Sequence, residues 1–511
     1  MFETWLTQPS IFEQIRTWDG MSQLEFHSPD ESGVTFASGA WDGIATHHLA
    51  GMDEHEEARV VYALIEALGR LIRQGDEDSR RNLYRLALED NLVHHVDALL
   101  AEVLRQDAFA VSELHPHARW LVERAAHAEP LKLGITLLGL SGGPSDLGLL
   151  QDLSRHDEFT LYAAVAAANL LEDPLDVWWD MAKNVRGWGK IHLVERLCER
   201  CEEREDLKRW LLEEGCSNDV MDEYLAFLCA SAGDLARAVN TANPSEELLD
   251  GASVIVKALI RGGPAPDLAD YEDGRRALSG LLSHFQERCS TLGRLELVRL
   301  ARNWLESEDS ESWEAELKQP LISTCRRILA EPRWPERVER AFGGEDPTEK
   351  FLAWDLSEEV GVDLWPAAFS DLESEPLQSL NYWRVLQTSR PERLKQVFRF
   401  AEANLPLTEI ASGPAEELGF GPEYRAHGCL DFLLPAMEKA DLPHWPILVA
   451  ALRSPVVRNR HQALRLLEQV PPDSWERRAR VALAELAAED PDEEVRQKAS
   501  ELASRCPPPR V

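Results

Sequence analysis

Apolar residues along this chain recur at the spacing of amphipathic helices. One stripe consists of Val60, Leu64, Leu68 and Leu71, and Gly75 follows it. Side chains at this spacing lie on one helix face, and a glycine directly after such a stripe commonly ends a helix. A second stripe falls within residues 96–103. Because no alternation of strands with helices is present, the pattern predicts an all-α chain.

The segment 175–228 shows how turn residues divide this helical pattern. Breaks are expected at Gly187 and Gly189, at residues 202–204 and at residues 215–217. The segment is therefore predicted to contain four helices. Units of helix, loop and helix about 35–45 residues long, repeated over about 450 residues, predict about ten to twelve helix pairs.

The last part of the chain matches itself at a period of 36 residues, with residues 445–470 aligned on 481–506 without a gap. The alignment pairs Pro455 with Pro491, Arg460 with Arg496, Ala463 with Ala499 and Leu466 with Leu502. A proline-led turn between two apolar-striped helices, repeated at such a period, is typical of a helical repeat array. One helix pair cannot bury its own stripe, so neighbouring pairs are expected to stack.

The residues that carry this period resemble a HEAT repeat. They are Pro491, Val495, Arg496, Ala499 and Leu502. The resemblance covers about the last 65 residues, and a fainter copy lies at residues 145–171. It implies an α-solenoid of stacked antiparallel helix pairs, of the HEAT/armadillo kind. In that family the arginine commonly makes repeat-to-repeat contacts, so Pro455, Arg460, Pro491 and Arg496 are expected to be structural.

Four regions follow from these patterns. Residues 1–50 are interpreted as a small non-repeat N-terminal cap, with a short helix at 8–18 and a hairpin at 23–26 and 34–36. Residues 51–410 are predicted to be the helical array. A Gly/Pro-rich break is placed at 411–424, and the HEAT-like repeats at 425–511.

The charge balance is strongly acidic, with 54 basic against 90 acidic residues and a net charge of −36. Such a surface repels nucleic-acid phosphates and anionic membranes and attracts basic proteins. An acidic run at residues 306–316 is predicted to be an exposed loop and helix start. Residues 453–480 run against the trend, with seven arginines and three acids. This segment is a candidate basic contact patch, formed by Arg453, Arg458, Arg465, Arg477, Arg478 and Arg480.

The compartment is predicted from what the sequence lacks. Eight cysteines in 511 residues are too few for a disulfide scaffold. The first residues do not have the pattern of a signal peptide, and no apolar run reaches 18 residues. A cytoplasmic protein without membrane spans is therefore expected.

Three local patterns are candidate sites of chemistry. A G-x-S-x-G run at residues 139–143 has the order of a nucleophile elbow, but no predicted strands or triad partners accompany Ser141. Cys198 and Cys201 form C-x-x-C, interpreted as buried thiols within a helix. The cluster His47, His48, Asp53 and His55 has no spacing typical of a metal site. No catalytic residue, cofactor or metal ligand is therefore predicted.

The leading hypothesis is a non-enzymatic α-solenoid scaffold or adaptor that binds partner proteins, basic ones in particular, through an acidic surface. Two alternatives stay open. One is an immunity or sequestering protein that neutralises a toxin or nuclease. The other is an enzyme built on HEAT-like helices, such as a DNA glycosylase or a lyase. Nucleic acid would then contact the basic C-terminal segment.

Overall fold

Helices account for the regular structure of this protein. The computed structural model describes residues 8–20, 24–26, 36–48, 53–263, 265–440 and 442–505. Within these residues 29 α-helices occur, and the single β-type pairing is an isolated bridge between Glu417 and Val456. The all-α prediction is confirmed. The predicted hairpin lies largely outside the described residues.

The first of two units, within residues 1–330, contains helices α1 to α18. Their bounds are α1 Ile11–Thr17, α2 Ala40–His48, α3 Glu54–Gln74, α4 Glu77–Ala87, α5 Val96–Arg105, α6 His115–Arg124, α7 Ala128–Ser141, α8 Leu147–Ser154, α9 Asp157–Leu170, α10 Leu175–Lys183, α11 Gly187–Cys198, α12 Glu205–Trp210, α13 Glu223–Ala232, α14 Leu235–Val239, α15 Glu246–Arg261, α16 Gly274–Arg288, α17 Leu292–Glu306 and α18 Ala315–Leu329. A π-helical turn, Leu211–Gly215, continues α12.

The predicted helix boundaries follow from local capping chemistry. Asp53 accepts a hydrogen bond from the N–H of His55 at 3.0 Å and so caps α3. Gly75 ends the same helix in the left-handed conformation, with φ at 63°. The four helices predicted in residues 175–228 are confirmed as α10 to α13.

Many helices of this unit pack against the helix that lies two positions further along the chain. Each of α7, α9, α11, α13 and α15 contacts the next odd-numbered helix, and the series ends at α17. In the same way α14 contacts α16, and α16 contacts α18. The apolar face of each helix is thereby buried against a neighbour, as the stripes require.

The second unit, within residues 331–511, contains α19 to α29. Their bounds are α19 Trp334–Phe342, α20 Pro347–Ser357, α21 Trp365–Ser374, α22 Ser379–Leu386, α23 Pro391–Asn404, α24 Leu407–Ile410, α25 Arg425–Ala440, α26 Trp445–Leu452, α27 Val457–Gln469, α28 Arg477–Glu489 and α29 Glu493–Ser504. Here α25 contacts α27 and α27 contacts α29, while α26 contacts α28. The segment 413–417 hydrogen-bonds to residues 453–457, next to α26.

Two arginines of the 36-residue period make equivalent backbone contacts. The Nη1 of Arg460 donates to the carbonyls of Ser454 and Pro455, six and five residues before it. The Nη1 of Arg496 donates to the carbonyls at the same offsets, those of Asp490 and Pro491. Each arginine therefore ties the turn before its helix to the helix itself.

Arg460 has a further contact that Arg496 lacks in the described residues. Its Nε and Nη2 donate to both carboxylate oxygens of Asp490, at 2.8 and 3.0 Å. Both side chains are fully buried. The pair joins α27 to the turn before α29, so it links one 36-residue repeat to the next.

Within the described part of the chain, no helix is long and apolar enough to cross a bilayer.

We expect Arg460→Ala to destabilise the second unit by about 3–5 kcal/mol, because it leaves the Asp490 carboxylate buried without its partner. Arg496→Ala is the matched control and should cost about 1 kcal/mol, since it removes hydrogen bonds to backbone only. Urea unfolding of the full chain, with hydrogen exchange over residues 457–504 to assign the transition, measures both. Equal losses in the two variants would contradict the assignment of Arg460 as the inter-repeat link.

Candidate functional site

The arginines of the candidate basic patch are largely engaged within the protein. Arg453 pairs with Glu485 at 2.7 Å, Arg458 with Asp431 at 3.0 Å and Arg465 with Glu438 at 3.7 Å. Arg480 donates to the carbonyls of Trp475 and Pro472. Only Arg477 and Arg478 of this set are exposed without a recorded pairing in the described residues. The patch does not present a uniform basic surface.

The two nucleophile patterns fall in helical surroundings. Ser141 is the last residue of α7, and its hydroxyl donates to the carbonyl of Leu137 at 2.8 Å. No strand precedes it in the described residues, as an elbow would require. Cys198 ends α11, so the prediction that Cys198 and Cys201 both lie within a helix was wrong. Both are free thiols, and Cys201 is buried.

Acidic residues concentrate in the loops that follow odd-numbered helices. We define the acidic edge as residues 171–174, 199–204, 233–234, 262–273 and 307–314, the loops after α9, α11, α13, α15 and α17. These loops hold fourteen acidic and two basic residues, and twelve of the fourteen carboxylates are exposed. The loops after the even-numbered helices α8, α10, α14 and α16, with 216–222 before α13, hold two acids and two arginines. Between α8 and α18, acidic loop residues are thus concentrated in one set of loops.

Contacts show that these loops adjoin one another in order. They are Arg204 with Asp176 at 2.8 Å, Arg237 with Glu205 at 2.9 Å, and the Tyr271 hydroxyl with the Ala230 carbonyl at 3.3 Å. Trp313 lies 3.5 Å from the place of a Cβ on Gly274, so the last loop also contacts the start of α16, directly after the fourth loop. The acidic edge is therefore one continuous surface of the first unit.

A second polar centre is buried where α2 packs on the unit. Lys132, only 1% exposed, pairs with Asp42 at 2.7 Å, Glu129 at 2.9 Å and Glu158 at 2.5 Å. Glu158 also accepts from the N–H of Gly39 at 2.7 Å, which holds the start of α2. One ammonium thus faces three carboxylates, and the excess negative charge is buried.

The buried carboxyl groups hold protons more tightly than exposed ones. Burial raises the pKa of Asp42 to about 6; Lys132 opposes this shift, while Glu158 and Glu129 add to it. Burial also raises the pKa of Asp157 to about 7, although the N–H groups of Gly189 and Trp188 hydrogen-bond to its carboxylate. Protonation of Asp42 below about pH 6, and of the neighbouring Asp157 below about pH 7, therefore reduces the negative charge in this region.

A glycine lets α2 approach α11 closely. A Cβ on Gly43 would lie 2.1 Å from Cδ2 of Trp188, a distance that side chains do not adopt. The indole of Trp188 is buried and also packs against His47, at 5.2 Å between ring centroids. The close contact brings the C-terminal end of α2 onto α11.

The sequence cluster divides between two helices, with His47 and His48 at the end of α2 and Asp53 and His55 at the start of α3. Asp53 caps α3 and His55 lies exposed in its first turn, whereas His47 joins His192 and Glu195 of α11. This is the only group of three metal-ligating side chains within the described residues. Sequence reasoning missed His192 and Glu195, although their i, i+3 spacing on one helix face was a signal for a shared site.

Comparison of the chain with protein-family models, with curated proteins and with solved structures finds no match.

We expect the docking of α2 to weaken as pH rises. A carboxyl group with a raised pKa in the folded state stabilises the fold in full at pH values below its pKa in the unfolded chain, near 4. This stabilisation is lost as the pH rises through the pKa of the folded state. For Asp42 and Asp157 the loss falls between about pH 4 and 7. Hydrogen exchange of residues 40–48, corrected for intrinsic rates, should show less protection at the upper end. Asp42→Asn should reduce this dependence and exposed Asp97→Asn should not; protection that rises with pH would contradict the account.

We expect Gly43→Ala to release α2, since the added methyl overlaps Trp188 and overpacking costs about 1–3 kcal/mol. Helix propensity alone predicts the opposite sign, because alanine favours helix over glycine by about 1 kcal/mol. Gly148→Ala in α8 is the matched control, as nothing lies within 4 Å of its Cβ position. Thermal unfolding and exchange of residues 40–48 measure both. A stabilised Gly43→Ala protein would show that α2 does not pack as described.

Proposed function

We propose that this chain is a non-enzymatic helical-repeat protein, an α-solenoid, that binds a basic protein partner through the acidic edge. The observation that carries the proposal is the concentration of twelve exposed carboxylates in adjoining loops of one unit. A row of like charges along one side attracts an extended surface of opposite charge and orients it before contact.

The solenoid part of the proposal is supported by how the helices pack. In both units a helix contacts the second helix along the chain, as stacked helix pairs do. The equivalent contacts of Arg460 and Arg496 agree with a repeat of 36 residues. The resemblance to HEAT repeats in the last residues points the same way.

A basic protein is favoured over nucleic acid as the partner. The net charge of −36 opposes phosphate binding, and in the described residues Arg453, Arg458 and Arg465 of the candidate basic patch pair with acids of the chain itself. Lysine and arginine side chains of a protein partner would replace the counterions of the exposed carboxylates. Such binding is weakened by salt.

We expect a fluorescein-labelled lysine-rich peptide to bind the full chain in fluorescence anisotropy. Raising the salt from about 50 to 300 mM should weaken binding about tenfold, because the charges involved are exposed. The edge variant Glu202→Gln, Glu203→Gln, Glu272→Gln, Glu311→Gln should weaken it about fivefold or more at low salt.

The matched control neutralises four exposed glutamates of the same unit outside the acidic edge: Glu54, Glu66, Glu247 and Glu287. It changes the net charge equally and should leave the affinity within about twofold. Equal losses in the two variants would show that net charge, not the edge, attracts the peptide. Binding indifferent to salt would contradict the electrostatic account.

A further inference from the structure

The end of α2 and one face of α11 bring three metal-ligating groups together. The ligand atoms of His47, His192 and Glu195 all lie within 4.8 Å of one another. Nε2 of His47 is 3.0 Å from Oε1 of Glu195, and Nδ1 of His192 is 3.8 Å from Oε2. A tetrahedral Zn²⁺ with ligands at about 2.0–2.1 Å separates them by about 3.3 Å. Both nitrogen–oxygen distances, which end on different oxygens of Glu195, are close to that value.

The hydrogen bonds of His47 leave Nε2 as the ring nitrogen that can bind a metal. Its Nδ1 lies 2.9 Å from the carbonyl of Gly43, an acceptor only, so this nitrogen carries the proton. Nε2 then faces Glu195, to which it donates in the absence of a metal, and it would exchange that proton for the ion on binding. An imidazole that donates Nδ1–H to a backbone carbonyl and binds through Nε2 is a common arrangement of zinc ligands.

The ring of His192 lacks the hydrogen bonds that a buried structural histidine normally makes. It is 4% exposed, and its Nε2 is buried without a hydrogen-bond partner in the described residues. Its other nitrogen faces Glu195 at a distance too long for a hydrogen bond. Buried polar atoms are nearly always paired, and an ion bound through Nδ1 would give that nitrogen a partner and leave Nε2 as the protonated nitrogen of the ring.

We propose that His47, His192 and Glu195 bind one divalent first-row transition ion, Zn²⁺ in particular, which clamps the N-terminal helix α2 onto α11. Two imidazoles and a carboxylate form a donor set that binds Zn²⁺ in preference to Mg²⁺ or Ca²⁺. The side chains of His47 and Glu195 are 19% and 31% exposed, so solvent reaches the site and supplies the remaining ligand. The rings of Trp188 and Tyr224 lie 5.2 and 5.7 Å from that of His47 and wall the site.

The binding test uses the full chain without an affinity tag. After dialysis against Zn²⁺, metal analysis should find one ion bound per chain, and Co²⁺ should give a visible absorption band that Zn²⁺ removes and Mg²⁺ does not. His47→Gln and Glu195→Gln should each weaken binding at least about tenfold. Chains that bind no Zn²⁺, or variants that keep the wild-type affinity, would overturn the proposal.

His48→Gln is the matched control. His48 is adjacent to His47 and hydrogen-bonds to the Tyr224 hydroxyl at 2.7 Å, but it is not in the ligand group. It should bind Zn²⁺ as the native chain does, and a loss equal to that of His47→Gln would overturn the assignment of ligands. Circular dichroism of the metal-free variants shows whether each is folded.

The clamp itself has a separate readout. Because the ion would bind only when α2 is docked, Zn²⁺ should slow hydrogen exchange of residues 40–48 in the native chain and in His48→Gln. It should not do so in Glu195→Gln. Zinc that binds without changing exchange of α2 would refute the clamp.

Discussion

The structure depends on one constraint, that no helix pair of this chain can bury its apolar faces alone. The odd-numbered helices from α7 to α17 therefore each pack on the second helix along the chain in one unit, and the helices from α25 to α29 do so in the other. This stacking decides which loops become neighbours. It places the loops after successive odd-numbered helices side by side, so charges scattered over residues 171–314 become one surface.

Buried cations reinforce the stacking at chosen points. Arg460 reaches from α27 to Asp490, and Arg294 of α17 reaches back to Glu246 and Asp250 of α15. Lys132 of α7 likewise links its helix to α2 and α9 through ion pairs. A buried charge is tolerated only in a fixed arrangement of partners, so these contacts favour one register of neighbouring helices over others. They give specificity more than net stability.

Much of the fold could be predicted from the sequence, because helix stripes and caps are local. The stripe from Val60 to Leu71 and its end at Gly75 predict α3, and the breaks around Gly187 and Gly215 predict α10 to α13. The candidate sites were predicted only in part. The acidic run at 306–316 is visible in the sequence, but its alignment with residues 199–204 and 262–273 requires the stacked fold. His47 and His192 are 145 residues apart and meet because α2 packs on α11, where Gly43 closely approaches Trp188.

The central claim is that one edge of the first unit receives a basic partner. The most direct measurement is zero-length carbodiimide coupling of the full chain to a lysine-rich peptide, with the coupled carboxylates identified by mass spectrometry. The account predicts that coupling concentrates in residues 199–204, 262–273 and 307–314 and disappears at high salt. Coupling spread evenly over the exposed carboxylates of both units, or concentrated outside these loops, would contradict it.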